Sequence, residues 1–183
     1  MSPSDTRTAL DRLGLATALA KARKSYAEGG IPIGAALVFH GNDSSSASQP
    51  PPQGNEGVAA LSLSSGAAVL GSAHNARIQK CSPTLHAEIA ALEDAGRLGA
   101  GVYRRCTMYT TLSPCSMCTG AILLYRIPRI VIGENTNFVG GEDLLRSAGV
   151  EVVVLQDGEC RELMARFIKE KPEEWNEDIG EIS

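Results

Sequence analysis

The chain has 183 residues, 43% of them hydrophobic and 21% charged, with a net charge of −4 and a pI near 5.4. It is long enough for one domain with a substantial core, and the composition is ordinary for a globular protein. An acidic balance gives no general reason to bind a polyanion, and there is no apolar stretch of membrane-spanning length. The first ten residues lack an apolar signal region, and five cysteines are an odd count for a disulfide framework. Cys81, Cys106 and Cys160 are therefore expected to be buried free thiols. A cytoplasmic location, possibly also nuclear, is the corresponding expectation.

In chain order, Ser4 or Asp5 can cap a helix running to about Glu28, with Leu10, Leu13, Ala16 or Thr17, and Ala20 on one face and Gly29-Gly30 as its stop. Ile33 to Phe39 reads as a buried strand. About residues 42–66 form a low-complexity insert, with Ser44-Ser45-Ser46, Pro50-Pro51-Pro52 and few large apolar groups. Such a composition cannot bury much surface, and flexibility is the expectation. Ala67 to Ala73 resumes as a strand, a possible hairpin partner of the first. His74-Asn75 closes it, either as a turn, since Asn tolerates left-handed geometry, or with Asn75 presenting its amide to a polar ligand.

Alternation follows. Leu85 to Leu98 reads as a helix, Thr107 to Thr111 as a strand, Cys115 to Tyr125 as a helix, and Arg129 to Gly133 as a strand. Gly141 to Ser147 reads as a helix, Glu151 to Leu155 as a strand, and Cys160 to Lys169 as another helix. Pro172 opens a last short helix through Trp175 and Asp178, expected at about 172–180. The pattern predicts a single α/β domain over residues 1–183: a three-layer α/β/α sandwich around a central five-stranded mixed sheet. Helices that follow neighbouring strands would converge at one sheet edge, where open α/β sheets place ligands.

Two short motifs carry chemistry. Thr84-Leu85-His86-Ala87-Glu88 and Ser113-Pro114-Cys115-Ser116-Met117-Cys118 supply one histidine and two cysteines. Three such donors suit a zinc ion and leave a tetrahedral position open, as in catalytic sites. Zinc lowers the pKa of water bound to it towards about 7, and Glu88, close in sequence yet outside the ligand set, can carry the proton. Cys115 and Cys118 are three apart and share one face of a helix that begins there; a helix N-terminus also stabilises thiolates. His86 and Glu88, two apart, would diverge on a regular helix. Taken singly, His86 would be a structural histidine, Glu88 a solvated helix residue, and Phe138 and Trp175 core residues. A structural zinc module would need a second C-x-x-C or a histidine pair, and the three histidines, His40, His74 and His86, provide none.

H-x-E followed by P-C-x-x-C is the pattern of zinc-dependent nucleobase deaminases. Further stretches sharpen the likeness: Glu28-Gly29-Gly30-Ile31-Pro32-Ile33-Gly34, Ala73-His74-Asn75, Tyr109-Thr110-Thr111-Leu112, Gly133-Glu134-Asn135 and Trp175-Asn176-Glu177-Asp178-Ile179-Gly180. Together they resemble the fungal-type cytosine deaminases over nearly the whole chain apart from the N-terminus and the insert. The terminal block with Trp175 and Asp178 is more specific to that family than the zinc motif. Two departures stand out. The insert lengthens a connection that is short in the family, and Ala87 stands where the family commonly has glycine. His-Ala-Glu also occurs in tRNA adenosine deaminases.

The resemblance implies hydrolytic deamination of free cytosine to uracil and ammonia, and of 5-substituted cytosines, by a homodimer with one zinc per subunit. On it, His86, Cys115 and Cys118 match the metal ligands and Glu88 the proton shuttle. Asn75 and Asp178 match residues that hydrogen-bond the pyrimidine, and Ile33, Phe138 and Trp175 match its apolar walls. Leu112 and Ser113 lie beside the zinc cysteines. The alternatives are a nucleic-acid deaminase of the tRNA adenosine type and a non-catalytic zinc module. The first would need phosphate contacts from Lys and Arg that this acidic chain does not advertise, so a small pyrimidine base, without nucleic acid or membrane, is the expected partner.

Overall fold

Five strands make one mixed sheet in the order β2-β1-β3-β4-β5. They are β1 (Gly34–Phe39), β2 (Ala68–His74), β3 (Cys106–Leu112), β4 (Arg129–Glu134) and β5 (Glu151–Val154). β1 pairs antiparallel with both β2 and β3, while β3, β4 and β5 run parallel. The computed structural model describes residues 3–40 and 67–181, so the insert expected at about 42–66 lies outside the described residues.

Eight helices appear among the described residues: α1 (Pro3–Ala27), α2 (Arg77–Lys80), α3 (Ala87–Ala95), α4 (Ala100–Tyr103), α5 (Ser116–Leu124), α6 (Glu142–Ser147), α7 (Gly158–Glu170) and α8 (Pro172–Ile179). None is long and apolar enough to cross a membrane. α1 and α7 cover one face of the sheet and α3 and α5 the other, giving the predicted sandwich. Strand parity sorts the two interiors. Ala35, Leu37 and Phe39 of β1 face α3 with Met108, Ile130 and Ile132, whereas Ala36 and Val38 face α1 with Tyr109 and Val131. Gly34 is where α1 comes closest: a Cβ there would sit 2.0 Å from the Ala18 carbonyl oxygen.

Several boundaries differ from the sequence reading. The helix expected from Leu85 to Leu98 is α3 alone, ended by Gly96 at φ 75°. α2 and α4 are single turns of four residues, too short to show a helical period. α7 begins earlier than expected, because Asp157 caps it by accepting the Cys160 N–H at 2.9 Å. Cys106 and Cys160 are buried thiols as expected, but Cys81 is exposed in the turn that ends α2.

At the opposite end of β3 and β4 from the motif cysteines, a buried ion pair ties α1 to the sheet. Arg129 donates to both carboxylate oxygens of Asp11, at 2.6 and 2.9 Å, and the Tyr109 hydroxyl donates to Asp11 at 2.9 Å. Asp11→Ala would leave a buried guanidinium with only Glu151 to answer it. The expected cost is about 3 kcal/mol, read as a lower midpoint in denaturant unfolding. An unchanged midpoint would mean that the pair holds nothing together.

Candidate active site

Strand direction gathers the motif residues. β3 and β4 are parallel, so Leu112 and Glu134 end side by side as register partners. β1 runs the other way, so its beginning lies at that same edge, and Gly34 pairs with His74 at the end of β2. Ile33, Asn75, Leu112 and Ser113 are thereby brought to one sheet edge from three separate stretches. α3 and α5 start from it.

The spacing problem of His86 and Glu88 is solved at the start of α3. His86 is not helical. It occupies the N-cap in extended conformation, φ −61° and ψ 160°, and Glu88 is the second helical residue. α5 repeats the device: Cys115 is the extended N-cap, φ −66° and ψ 174°, and Cys118 lies one turn in. The three donor atoms of His86, Cys115 and Cys118 lie within 4.8 Å of one another, with Cys115 Sγ 3.5 Å from His86 Nδ1. A tetrahedral zinc at about 2.3 Å from sulfur and about 2.0 Å from nitrogen spaces its donors roughly 3.5–3.8 Å apart. The cluster needs only a small contraction to hold that ion.

The electrostatics fit a cation as well. A hydrogen bond from the Cys118 thiol, helped by His86 and opposed by burial, lowers Cys115 to about 4. Cys118, as the donor and a buried group beside Glu88, is pushed up. The two sulfurs are thus coupled, with Cys115 favoured as the thiolate that a divalent ion binds. Burial lowers the His86 imidazole, but its bond to Cys115 and the charges of Asp178, Cys115 and Glu88 outweigh this and raise it. Glu88 is raised by burial and by the Cys115 thiolate.

Above the donors is a small pocket lined by Ile33, His86, Ala87, Glu88, Leu112, Ser113, Cys115, Phe138, Trp175, Asp178 and Ile179. Phe138 and Trp175 meet edge to face, 6.0 Å between centroids at 86°. Two of the predicted residues stand differently from the rest. Asn75 is fully buried behind the wall: Nδ2 donates to Asp178 Oδ1 at 3.0 Å and Oδ1 accepts the Arg77 N–H at 3.1 Å. The turn is present, and the amide that would have met a ligand is given to Asp178 instead of to the pocket. Ser113 lines the pocket, but its hydroxyl donates to Glu142 at 2.9 Å and accepts the Gly140 N–H at 3.0 Å.

Residues 9–134 match the cytidine and deoxycytidylate deaminase zinc-binding region. The chain belongs to that family. As a member it is a zinc-dependent deaminase with one zinc site, and His86, Cys115 and Cys118 are the residues that fit the metal. The chain is 55% identical over 171 residues to the cytosine deaminase of Candida albicans, covering 93% of this chain and 97% of that one. A tRNA-specific adenosine deaminase of Haemophilus influenzae is more distant, 32% identical over 186 residues and covering 95% and 92%. The solved structure of guanine deaminase from Nitrosomonas europaea shares the fold, with a TM-score of 0.55 at 23% identity over 84% of this chain and 81% of that one.

Sequence reasoning missed several members of this deaminase site. Thr110 places its hydroxyl 3.3 Å from Glu88 Oε1 and 3.1 Å from the Leu112 carbonyl. Its signal was available: it shares strand parity with Cys106, Met108 and Leu112, so a polar side chain stands on a core-facing row. Glu134 and Glu142, both buried, build the loop that carries Phe138. Glu134 accepts the Thr136 and Asn137 N–H groups at 2.6 and 3.1 Å, and Glu142 accepts from Ser113, Asn135 and Arg146. No local spacing betrays them.

Cys115→Ala or Cys118→Ala is expected to lower zinc content to well below one per chain, since two protein donors hold the ion poorly. Elemental analysis of the purified variants reads this directly, and full retention in both would remove the cysteines from the ligand set.

Proposed function

We propose that this chain hydrolyses free cytosine to uracil and ammonia, and does so as a homodimer. The observation that carries the substrate is the 55% identity to a cytosine deaminase over 93% of the chain. The pocket supports it: it is small, and α8 lies across it, with Trp175 and Asp178 both buried.

Each pocket residue then has a task. Zinc, when held by His86, Cys115 and Cys118, lowers the pKa of water and so supplies the nucleophile at neutral pH. Glu88 would take the two protons of the attacking water in turn, passing one to the ring nitrogen and the other to the departing amine. Its burial favours the protonated carboxyl, which suits a group that must give the proton back. Thr110 holds Glu88 from below. Asp178 accepts a hydrogen bond from the exocyclic amine, and Ile33, Phe138 and Trp175 sandwich the flat base and exclude water. Asn75 acts through Asp178, to which its Nδ2 donates. The dimer reading draws on exposed apolar groups at the end of α5, where Leu124 is 75% exposed and Tyr125 40%.

Glu88→Gln keeps the size and the hydrogen-bonding shape while removing the proton carrier. Turnover of cytosine is expected to fall roughly 10²–10⁴-fold or more with zinc content unchanged, and near wild-type turnover would take Glu88 out of the mechanism.

The substrate itself is tested by ammonia release from cytosine, cytidine, adenine, guanine and a tRNA. Cytosine is expected to react and cytidine to be rejected, because a ribose has no room under α8 and leaves pocket polar groups unpaired. Equal rates on cytosine and cytidine, or turnover of the tRNA alone, would overturn the free-base reading. Light scattering is expected to give twice the 19.2 kDa chain mass.

A further inference from the structure

Arg77 has no part in the zinc motif and does not line the pocket, yet it is the buried cation next to the site. Its side chain is 11% exposed. Nη1 donates to Asp178 Oδ1 at 2.9 Å and reaches the Glu177 carbonyl at 3.4 Å, and Nη2 donates to the Glu177 carboxylate at 2.5 Å. Its backbone N–H is held by Asn75, whose own Nδ2 donates to the same Asp178 oxygen. The residues immediately after β2 therefore grip α8 a hundred positions further along the chain.

These contacts are asymmetric. Among the described residues, the partners of Asp178 all meet Oδ1: Asn75 Nδ2 at 3.0 Å, Arg77 Nη1 at 2.9 Å and His86 Nε2 at 3.6 Å. A carboxylate accepts through both oxygens, and Asp178 lines the pocket. With Oδ1 occupied, Oδ2 is the acceptor left for a ligand. A free Asp side chain would present either oxygen at many angles. A guanidinium fork and an amide fixed by a two-residue turn leave it one orientation. The same guanidinium answers the charge of a carboxylate that is only 2% exposed.

We propose that Arg77 is a positioning residue for substrate recognition: it locks Asp178 through Oδ1 and so aims Oδ2 at the exocyclic amine of the base. The inference rests on the free-cytosine reading above. Arg77 touches neither substrate nor metal, and it acts only on the part of the substrate that Asp178 meets. It therefore separates from a merely structural role. An amine-bearing ligand feels its loss, and a pyrimidine without that amine does not.

The test compares wild type, Arg77→Gln and Arg77→Lys on two ligands: kcat/KM for cytosine, and the inhibition constant of pyrimidin-2-one, which lacks the amine. Arg77→Gln is expected to lose about 10–100-fold in kcat/KM on cytosine, the usual scale for a residue that orients a site group. Inhibition by pyrimidin-2-one, measured against residual turnover, should change less than about threefold, with zinc content unchanged. Arg77→Lys keeps the charge and the packed stem but not the fork, and should fall between the two. It also supplies the comparison if the glutamine variant does not fold. Unchanged kcat/KM in both variants would overturn the proposal. So would an equal loss on both ligands, which is what a general loosening of α8 produces. A wild-type enzyme with no activity on cytosine would instead overturn the substrate reading, and this inference with it.

Discussion

Everything in this molecule turns on gathering anionic donors out of water at one point. Two thiols, the carboxylates of Glu88 and Asp178 and a histidine share a single pocket, and such groups are costly to bury unless a cation answers them. The molecule answers in two places. On one side the sulfurs and His86 Nδ1 converge for a divalent ion. On the other, Arg77 meets Asp178. The helix starts contribute as well: His86 and Cys115 both stand at N-caps, where the backbone N–H groups of the first turn favour negative charge.

That arrangement explains why the sheet is mixed in the way it is. Parallel β3 and β4 each run into the site edge and deliver their successors there: the cysteine helix after β3, and the Phe138 loop after β4. Antiparallel β1 and β2 bring their beginning and end to the same edge, so Ile33 and Asn75 arrive without a crossover. His86 then follows Asn75 by a short excursion, with the Ala76 N–H donating to the Leu85 carbonyl at 2.9 Å to bring the two back together. The histidine follows edge strand β2 and the cysteines follow central strand β3, yet they meet because each ligand set heads a helix on the same face.

The sequence made the core of this legible because its signals are local. Cysteines three apart after a proline, a histidine two before a glutamate, and buried β-branched runs each declare themselves in a short window, and alternation alone predicted the sandwich. What it concealed was nonlocal or finer than a helical turn. Helical geometry appeared to set His86 and Glu88 apart, and only the extended N-cap conformation of His86 removes the conflict. Asn75 read as either a turn residue or a ligand-facing amide because a window of sequence cannot show Asp178, 103 positions away, taking its Nδ2. Ser113 read as a neighbour of the zinc cysteines, and sequence cannot show its hydroxyl joining Glu142 and Gly140. α2 and α4 escaped because four residues carry no period.

The same division between local and distant has a consequence for how such a site changes its substrate. The matched family region ends at residue 134, before Phe138, Trp175 and Asp178. The metal donors and Glu88 lie inside it, and these do chemistry common to any amine leaving an aromatic ring. Part of the pocket wall lies outside it, on a loop built over Glu134 and Glu142 and on α8, held by Arg77 and by the Phe138–Trp175 contact, while Ile33 and Leu112 lie inside. Neither element supplies a metal donor, so either can be rebuilt without touching the ion. A substitution in α8 can therefore alter which base is accepted while the zinc site stays as it is. One in α3 or α5 alters the metal or the proton carrier first and so affects every substrate alike.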